Sequence, residues 1–203
     1  ATRYVESEAV TATLCEFLPH CDVIVGTEEE FAIAGGSAQV DEAIDKVRHA
    51  TSATLVVKRG ADGCTVHSSV DGHAAPALAL RGAPIEVFNI LGAGDAFMAG
   101  FLSGWLRDRP LAECGARANA CGALVVSRHG CAPAMPSAEE LDHFLAHGSS
   151  TPRLREDTTL NRLHRAGTRD SVPPLLAVLA FDHRSQFEAM SAIHGRSAAR
   201  LLD

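Results

Sequence analysis

The stretch Asn89-Ile-Leu-Gly-Ala-Gly-Asp-Ala-Phe97 is the most informative part of this 203-residue sequence. Residues 85–89 predict a strand, two glycines follow it, and a helix is expected to begin at Asp95. Glycines let backbone N–H groups converge, and the helix N-terminus adds a partial positive charge, so this turn can bind an anion. A carboxylate here would repel that anion unless it deprotonates a hydroxyl that attacks it. The same pattern is also typical of a plain tight turn, so the residues alone leave both interpretations open.

Three better-known motifs are absent from the sequence. It contains no G-x-x-x-x-G-K-[ST] phosphate loop and no G-x-S-x-G turn of a serine hydrolase. Phe97 stands where the dinucleotide motif G-x-G-x-x-G needs its third glycine. The turn therefore belongs to none of these three classes.

The charge and apolar content of the chain exclude several classes of function. Lys and Arg number 18 against 25 Asp and Glu, and the net charge of −7 argues against a nucleic-acid or anionic-membrane partner. Hydrophobic residues make up 46% of the chain, as in globular rather than disordered proteins. The apolar stretch at 175–181 is far shorter than the roughly 20 residues that span a bilayer. We therefore expect no nucleic acid and no membrane as partners.

The cysteines and a histidine pair do not predict a metal site. The sequence has no C-x-x-C pair among its six cysteines, which lie at 15, 21, 64, 114, 121 and 131. This spacing favours buried, reduced thiols in a cytoplasmic protein over disulfides. His143 and His147 have the i, i+4 spacing of metal ligands, but without a third ligand nearby they are expected to be exposed helix residues.

Strands and helices alternate along the chain, which favours an α/β fold with helices on both faces of a sheet. Thr27 and Glu30 fit a capping box at the start of one helix. The helix after Asp95 is apolar nearly all round and is expected to be buried. Further strands are predicted at 22–26, 53–58, 64–67 and 74–80, and further helices at 38–50, 111–127 and from 137 onwards.

The composition changes twice toward the C-terminus. Residues 148–174 are rich in arginine and lack aromatic side chains, so we predict a linker with one helical turn at 160–164. Residues 175–181 then resume an apolar strand, followed by a helix, which begins a second α/β unit. The chain starts without Met and its last helix has no stop signal, so both ends are expected to be cuts through a longer protein.

Gly92-Ala-Gly-Asp-Ala-Phe97, followed by Ala99-Gly-Phe101, resembles the C-terminal signature of the ribokinase-like (PfkB) sugar kinases. Three other family elements occur in the right order, at 27–30, 58–63 and 118–126. The resemblance covers about residues 1–147 and implies the C-terminal half of a ribokinase-like sandwich, with a parallel-rich sheet flanked by helices. The domains expected are a partial kinase domain at 1–147, a linker at 148–174 and the start of another domain at 175–203.

The resemblance implies the catalytic group of such a kinase. Asp95 would be the general base that takes the proton from the sugar's primary hydroxyl. The backbone N–H groups of Gly92, Ala93 and Gly94 would form the anion hole for the charge on the γ-phosphoryl group of ATP.

The resemblance also implies the nucleotide and metal contacts. Glu30 would help to place Mg²⁺ beside the phosphates, and Thr27 stands where the family has the asparagine of this network. Gly60 and Gly63 would pass close to the nucleotide. Asn119 would line the adenine site, although a purely structural role in a helix of small residues fits it equally well. ATP and Mg²⁺ are the cofactors implied.

Three residues depart from the usual family pattern, namely Thr27 for asparagine, Asn89 for aspartate and Leu91 for threonine. In many members that aspartate and threonine help to hold a monovalent cation, so none is predicted here. The variant at 26–31, together with 89–95, most resembles the branch that phosphorylates 5-dehydro-2-deoxygluconate in inositol catabolism.

The tail at 176–187 resembles the start of an aldolase-like domain found fused behind such kinases. Asp182 and Arg184 would follow its first barrel strand, where barrel enzymes keep functional groups. The chain has only two lysines, Lys46 and Lys58, whereas a Schiff-base aldolase needs one on its barrel. We therefore expect no aldolase chemistry from this chain.

The resemblance thus implies an ATP-dependent kinase that phosphorylates a small sugar acid, 5-dehydro-2-deoxy-D-gluconate, at its 6-hydroxyl. This activity is expected of a longer parent protein, with the isolated segment inactive. Two alternatives stay open: a non-catalytic nucleotide-binding remnant, and a kinase of the same family for another small sugar or a nucleoside. A homo-oligomer of the longer parent is also left open.

Overall fold

A computed structural model describes residues 7–70 and 73–166, which belong to one compact unit. The predictions for 175–203, including those for Asp182 and Arg184, lie outside the described residues. The elements are, in chain order, α1 (Ser7–Phe17), β1 (Val23–Thr27), α2 (Glu28–Gly35), α3 (Val40–Ala50), β2 (Thr54–Lys58), β3 (Cys64–His67), β4 (Ser69–Val70), β5 (His73–Ala74), β6 (Leu78–Leu80), α4 (Ala93–Trp105), α5 (Leu111–Val126), α6 (Ala138–His147) and α7 (Thr158–Ala166).

The strands β1, β2, β3 and β6 form a four-stranded mixed sheet in that order. β1 and β2 are parallel, with Thr27 opposite Lys58, because α2 and α3 carry the chain back between them. β2 and β3 are antiparallel, since residues 59–63 join them as a tight hairpin, and β3 and β6 are antiparallel as well. The described sheet therefore has one parallel pair and two antiparallel pairs, whereas the prediction was a parallel-rich sheet.

Helices cover both faces of this sheet, as predicted. Side chains alternate along β2, so Leu55 and Val57 face one layer and Val56 faces the other. The first layer contains Phe31 of α2 and Ile44 and Val47 of α3. The second layer is made with α4 and α5, and its buried side chains include Phe97, Phe101, Cys114 and Ala118.

Small residues bring α4 and α5 into close contact. A β-carbon built on Gly100 would lie 2.7 Å from the carbonyl oxygen of Arg117, too close for any side chain. α4 begins at Ala93, two residues before the predicted start, because Gly92 caps it with a φ of 82°. The helix buries one face only and Ala99 is exposed, so the prediction of burial all round was wrong. None of the described helices is long and apolar enough to cross a membrane.

The strand predicted at 85–89 is not formed. The N–H of Glu86 donates to the Pro152 carbonyl (2.7 Å), and the N–H groups of Phe88 and Asn89 both donate to the Val126 carbonyl (2.7 and 3.0 Å). These acceptors belong to the end of α5 and to a loop, so none of the described strands completes a ladder with this segment. The segment is an extended connection that leads from β6 to the turn before α4.

Residues 154–166 pack against the helices that precede them in the same unit. The single helical turn predicted at 160–164 is the nine-residue helix α7. Leu154 and Leu160 are buried in a cluster with side chains of α5 and α6. Asp157 starts α7, because its Oδ1 accepts the N–H of Leu160 at 3.0 Å. The division into domains at 148 and 175 stays a prediction.

One buried carboxylate joins the end of α5 to α6 and α7. Glu140 is fully buried and forms an ion pair with the Arg128 guanidinium. Its Oε2 also lies 3.0 Å from Nδ1 of His164, whose Nε2 lies 2.9 Å from the Pro133 carbonyl oxygen. The end of α5, the helix α6 and the helix α7 therefore meet at this charge.

The cysteines are free thiols, and half of them are buried. Burial raises the pKa of the Cys64 and Cys121 thiols to about 11, and desolvation also raises the pKa of Cys114. These three groups are therefore uncharged and weakly nucleophilic at neutral pH. His143 and His147 stack on each other on α6, with ring centroids 4.5 Å apart.

Candidate active site

The carboxyl ends of β1 and β2 lie side by side, and the acidic first turn of α2 directly follows β1. Thr27 ends β1 and caps α2: its Oγ1 accepts the Glu30 N–H at 3.2 Å, and Glu30 Oε2 accepts the Thr27 N–H at 2.6 Å. The predicted capping box is thus confirmed. It fixes the Glu30 carboxylate at this edge of the sheet, next to the end of β2.

Lys58 connects this edge to the glycine turn before α4. Its Nζ lies 3.7 Å from Glu30 Oε2. A β-carbon built on Gly94 would lie 3.6 Å from the same nitrogen. The fold therefore brings the predicted anion-binding turn and the predicted metal-binding carboxylate close to the same ammonium group.

The turn before α4 presents donors and a carboxylate to the outside. The first bond of the helix runs from the Ala96 N–H to the Gly92 carbonyl at 2.9 Å, so the N–H groups of Gly94 and Asp95 precede the helical ladder. The Ala93 N–H donates to the Ile90 carbonyl at 3.2 Å, so this member of the predicted anion hole already has a partner. Gly94 and Asp95 are exposed, so the Asp95 carboxylate does not point into the apolar interior.

The two glycines of the turn at 59–63 differ in what surrounds them. A β-carbon on Gly63 would lie 2.1 Å from the Leu80 carbonyl oxygen, and the residue has a φ of 94°, so packing against β6 requires glycine. Gly60 has a φ of 58°, and a β-carbon there would meet open space. Of the two predicted nucleotide contacts, Gly60 is the one whose surroundings leave room for a ligand.

Asn119 on α5 holds the end of β6. Its Nδ2 donates to the Leu80 and Arg81 carbonyls, at 3.2 and 3.1 Å. The structural role considered for this residue is therefore filled in the structure, and its place beside an adenine ring stays a prediction.

Asn89 links the turn before α4 to the loop after α5. Its Nδ2 donates to the Gly130 carbonyl at 3.1 Å, and its Oδ1 accepts the Leu91 N–H at 3.1 Å. An amide can make both bonds at once because it carries a donor and an acceptor. A carboxylate at this position would face the Gly130 oxygen without a donor.

Gly92 and Gly94 are expected to respond oppositely to alanine. At Gly92 the φ of 82° and a β-carbon 2.5 Å from Cys131 Sγ should lower the free energy of unfolding by about 1–3 kcal/mol. Gly94 lies within the first turn of α4 and has ordinary space, so Gly94→Ala should leave stability equal or up to about 1 kcal/mol higher. Its methyl group would instead enter the gap before Lys58 and weaken anion binding. Urea denaturation and ATP titration of both variants measure this, and equal stability losses would contradict it.

The surroundings of Glu30 suit Mg²⁺ only together with a nucleotide. Mg²⁺ is commonly held by one or two carboxylates and by substrate phosphates. The Glu30 side chain is 51% exposed and lies 3.7 Å from Lys58 Nζ. Within the part of the chain that the structure describes, no three His, Cys, Asp or Glu side chains are grouped as a metal site. A divalent ion here would therefore take its remaining ligands from phosphates and water.

The mixed sheet between helix layers, with a glycine turn and an acidic residue opening α4, defines a ribokinase-like α/β fold. Residues 3–138 match the model of the pfkB family carbohydrate kinases, which is more than half of the chain. The chain therefore belongs to the pfkB family of carbohydrate kinases. Residues 140–203 match a second family, described as an uncharacterized protein conserved in bacteria (DUF2090).

Curated relatives match over the kinase segment. A 5-dehydro-2-deoxygluconokinase of Geobacillus kaustophilus (strain HTA426) is 30% identical over 129 residues, which is 62% of this chain and 37% of that protein. An ATP-dependent ribose-1-phosphate kinase of Halopiger xanaduensis is 38% identical over 92 residues, 45% of this chain and 29% of that protein. This chain thus spans well under half the length of these relatives.

A solved structure of a sugar kinase also matches this chain. Fructokinase from Vibrio cholerae O395, in its form bound to fructose, ADP and calcium ion, is 25% identical with a TM-score of 0.61. The match covers 70% of this chain and 46% of that structure.

The sequence predicts the carboxylates and glycines of this candidate site but indicates no role for Lys58. The only local signal is that Lys58 ends a strand directly before a glycine turn. Its neighbours Glu30 and Gly94 come from other elements, so its place in the site follows from tertiary structure.

Proposed function

We propose that this chain forms the ATP-binding and phosphoryl-transfer part of an ATP-dependent sugar kinase. The observation that carries this proposal is the exposed Asp95 carboxylate in the first turn of α4, directly after the glycine turn, whose Gly94 lies close to Lys58 at the end of β2. An anion-binding helix end and a base are neighbours there, as transfer of a phosphoryl group to a hydroxyl requires.

In this proposal Asp95 accepts the proton of the sugar hydroxyl as its oxygen attacks the γ-phosphorus and the bond to ADP breaks. Backbone N–H groups at the start of α4 bind the negative charge of the phosphoryl oxygens. Glu30, already fixed by the Thr27 cap, would help to hold Mg²⁺ through its waters. When bound, that ion neutralises phosphate charge.

The finer proposal is that the acceptor is 5-dehydro-2-deoxy-D-gluconate, phosphorylated at its 6-hydroxyl. The similarity to the Geobacillus protein of that name supports it, and the similarity to the ribose-1-phosphate kinase supports a different small sugar. The residues quoted for the branch, at 26–31 and 89–95, favour the first of these.

The isolated chain is proposed to bind nucleotide without turning over. Ile90 and Leu91, next to the glycine turn, are 77% and 61% exposed, so the site stands open to water. An open site positions the acceptor hydroxyl poorly. This observation favours the second candidate function, a nucleotide-binding module, for the chain by itself.

Calorimetric titration with ATP, and ADP release with and without sugar, test these statements. We expect the chain to bind ATP with a Kd of about 1 µM to 1 mM and to release no ADP in response to sugar. A parent-length protein containing this segment should release ADP fastest with 5-dehydro-2-deoxy-D-gluconate in a panel that includes ribose, fructose and nucleosides. Absence of ATP binding by the chain would refute the proposed site, and a different best sugar would refute the substrate.

A further inference from the structure

Lys58 places a positive charge beside the start of α4, a helix end that already carries a partial positive charge, in a site that also holds the Glu30 and Asp95 carboxylates. Its Nζ faces Gly94 in the first turn of α4, where a β-carbon would be only 3.6 Å away. The N-terminus of a helix carries about half a positive charge, and a cation near it is unfavourable. The arrangement becomes favourable when an anion lies between the ammonium and the helix end.

The ion pair with Glu30 does not occupy the hydrogen-bond donors of the Lys58 ammonium. The Lys58 Nζ to Glu30 Oε2 distance is 3.7 Å, longer than an N–H···O hydrogen bond of about 2.7–3.2 Å. The same Oε2 makes its short bond, 2.6 Å, to the Thr27 N–H in the helix cap. Lys58 has three N–H donors, so it has donors left for a further acceptor beside Gly94.

The position of Lys58 is fixed by the sheet and not by the ion pair alone. Its backbone lies opposite Thr27 in β1 and opposite Cys64 in β3. Its side chain is 21% exposed, so the stem is mostly covered while the amino group reaches the site. A charge held in place before the reaction stabilises a transition state without reorganisation.

We propose that Lys58 is a further catalytic residue, which binds the terminal phosphate of ATP between its ammonium and the start of α4. This inference rests on the proposed kinase function. Lys58 donates hydrogen bonds to non-bridging oxygens while the phosphoryl group moves to the hydroxyl, and it keeps its own protons throughout. It therefore acts on the charge of the γ-phosphate, which ADP lacks.

Comparison of Lys58→Met with Lys46→Met tests this role on the 203-residue chain. Lys46 is the only other lysine, and it pairs with Glu42 on the surface of α3, so it is a matched control for loss of a positive charge. Calorimetry should show ATP affinity lowered about 10- to 100-fold in Lys58→Met, with ADP affinity nearly unchanged, and neither affinity changed in Lys46→Met. Lys58→Arg keeps the charge and should recover part of the ATP affinity.

The outcomes separate this inference from the proposed function. Normal ATP binding by Lys58→Met, or equal losses for ATP and ADP, would overturn the role of Lys58 and leave the kinase site intact. No ATP binding by the unmodified chain would overturn both.

Labelling of the unmodified chain gives a second test that does not depend on a folded variant. An acyl phosphate of ATP transfers its acyl group to an amine close to its terminal phosphate, and mass spectrometry then identifies the lysine. We expect labelling of Lys58 in preference to Lys46, suppressed by excess ATP. Equal labelling of the two lysines would contradict the inference.

Discussion

Replacing Asp95 by asparagine is expected to lower sugar-dependent ADP release by about 10²- to 10⁴-fold, the range typical for loss of a general base. Asparagine has the same shape and keeps a polar group in the first turn of α4, so the helix should remain folded. ATP affinity should stay equal or rise, because a negative charge next to the phosphates is removed. Turnover is measured in a protein of the relatives' full length that carries this segment, and ATP binding in the chain itself.

Asp108→Asn is the matched control for this substitution. Asp108 lies just beyond the opposite end of α4, roughly 20 Å along the helix axis, and is exposed. It has a φ of 53°, a conformation that asparagine adopts readily, so turnover and stability should not change. Turnover of Asp95→Asn within a few-fold of the unmodified enzyme would show that Asp95 is not the base. Parallel losses of ATP affinity and turnover would assign it a structural role instead.

The parts of the fold that depend on local sequence could be predicted. Thr27 and Glu30 are three residues apart, and the capping box they form needs only that spacing. The strand predicted at 53–58 from its β-branched residues and the strand predicted at 64–67 are confirmed as β2 and β3, with the predicted glycine turn between them. The anion-binding turn before Asp95 was also recognised from local sequence, whereas the role of Asp95 as a base was implied by the family resemblance and stays a prediction.

Elements that depend on a distant partner could not be predicted. The residues at 85–89 have strand composition, but their N–H groups meet the end of α5 and a loop, and composition does not specify an acceptor. The helix α7 was predicted only as one turn, because its arginines dominate the composition and only Leu160 with its neighbour Leu154 packs into the core. Both errors concern tertiary contacts, which periodicity does not encode.

In the candidate site, too, the contacts between distant residues could not be predicted from the sequence. Lys58 meets Glu30 through the register of β1 and β2, and it meets Gly94 through the packing of α4 on the sheet. Asn89 bonds to Gly130, which lies 41 residues further along the chain. Sequence spacing identifies chemically capable residues, whereas the neighbours that hold or complement them are known only from the fold.

Replacing Glu140 by alanine is expected to lower the free energy of unfolding by about 3–5 kcal/mol, the cost of leaving a buried charge without its partner. Glu140 is fully buried, and its loss would leave the buried Arg128 guanidinium without the carboxylate that neutralises it. The contact with His164 would be lost as well, so α7 should detach from α6 more readily. Urea denaturation measures the loss, and protection of α7 from hydrogen exchange reports the detachment.

The neighbouring Glu139 provides the control, because it lies in the same turn of α6 but is exposed. Glu139→Ala should change the free energy of unfolding by no more than about 0.5 kcal/mol, as surface substitutions usually do. The double variant Arg128→Met with Glu140→Leu removes both charges and should recover most of the loss, because the penalty comes from one unpaired charge and not from the missing ion pair. If Glu140→Ala and Glu139→Ala unfold at the same urea concentration, the buried cluster does not stabilise the fold. If the double variant is as unstable as Glu140→Ala, packing around these side chains is responsible instead of charge.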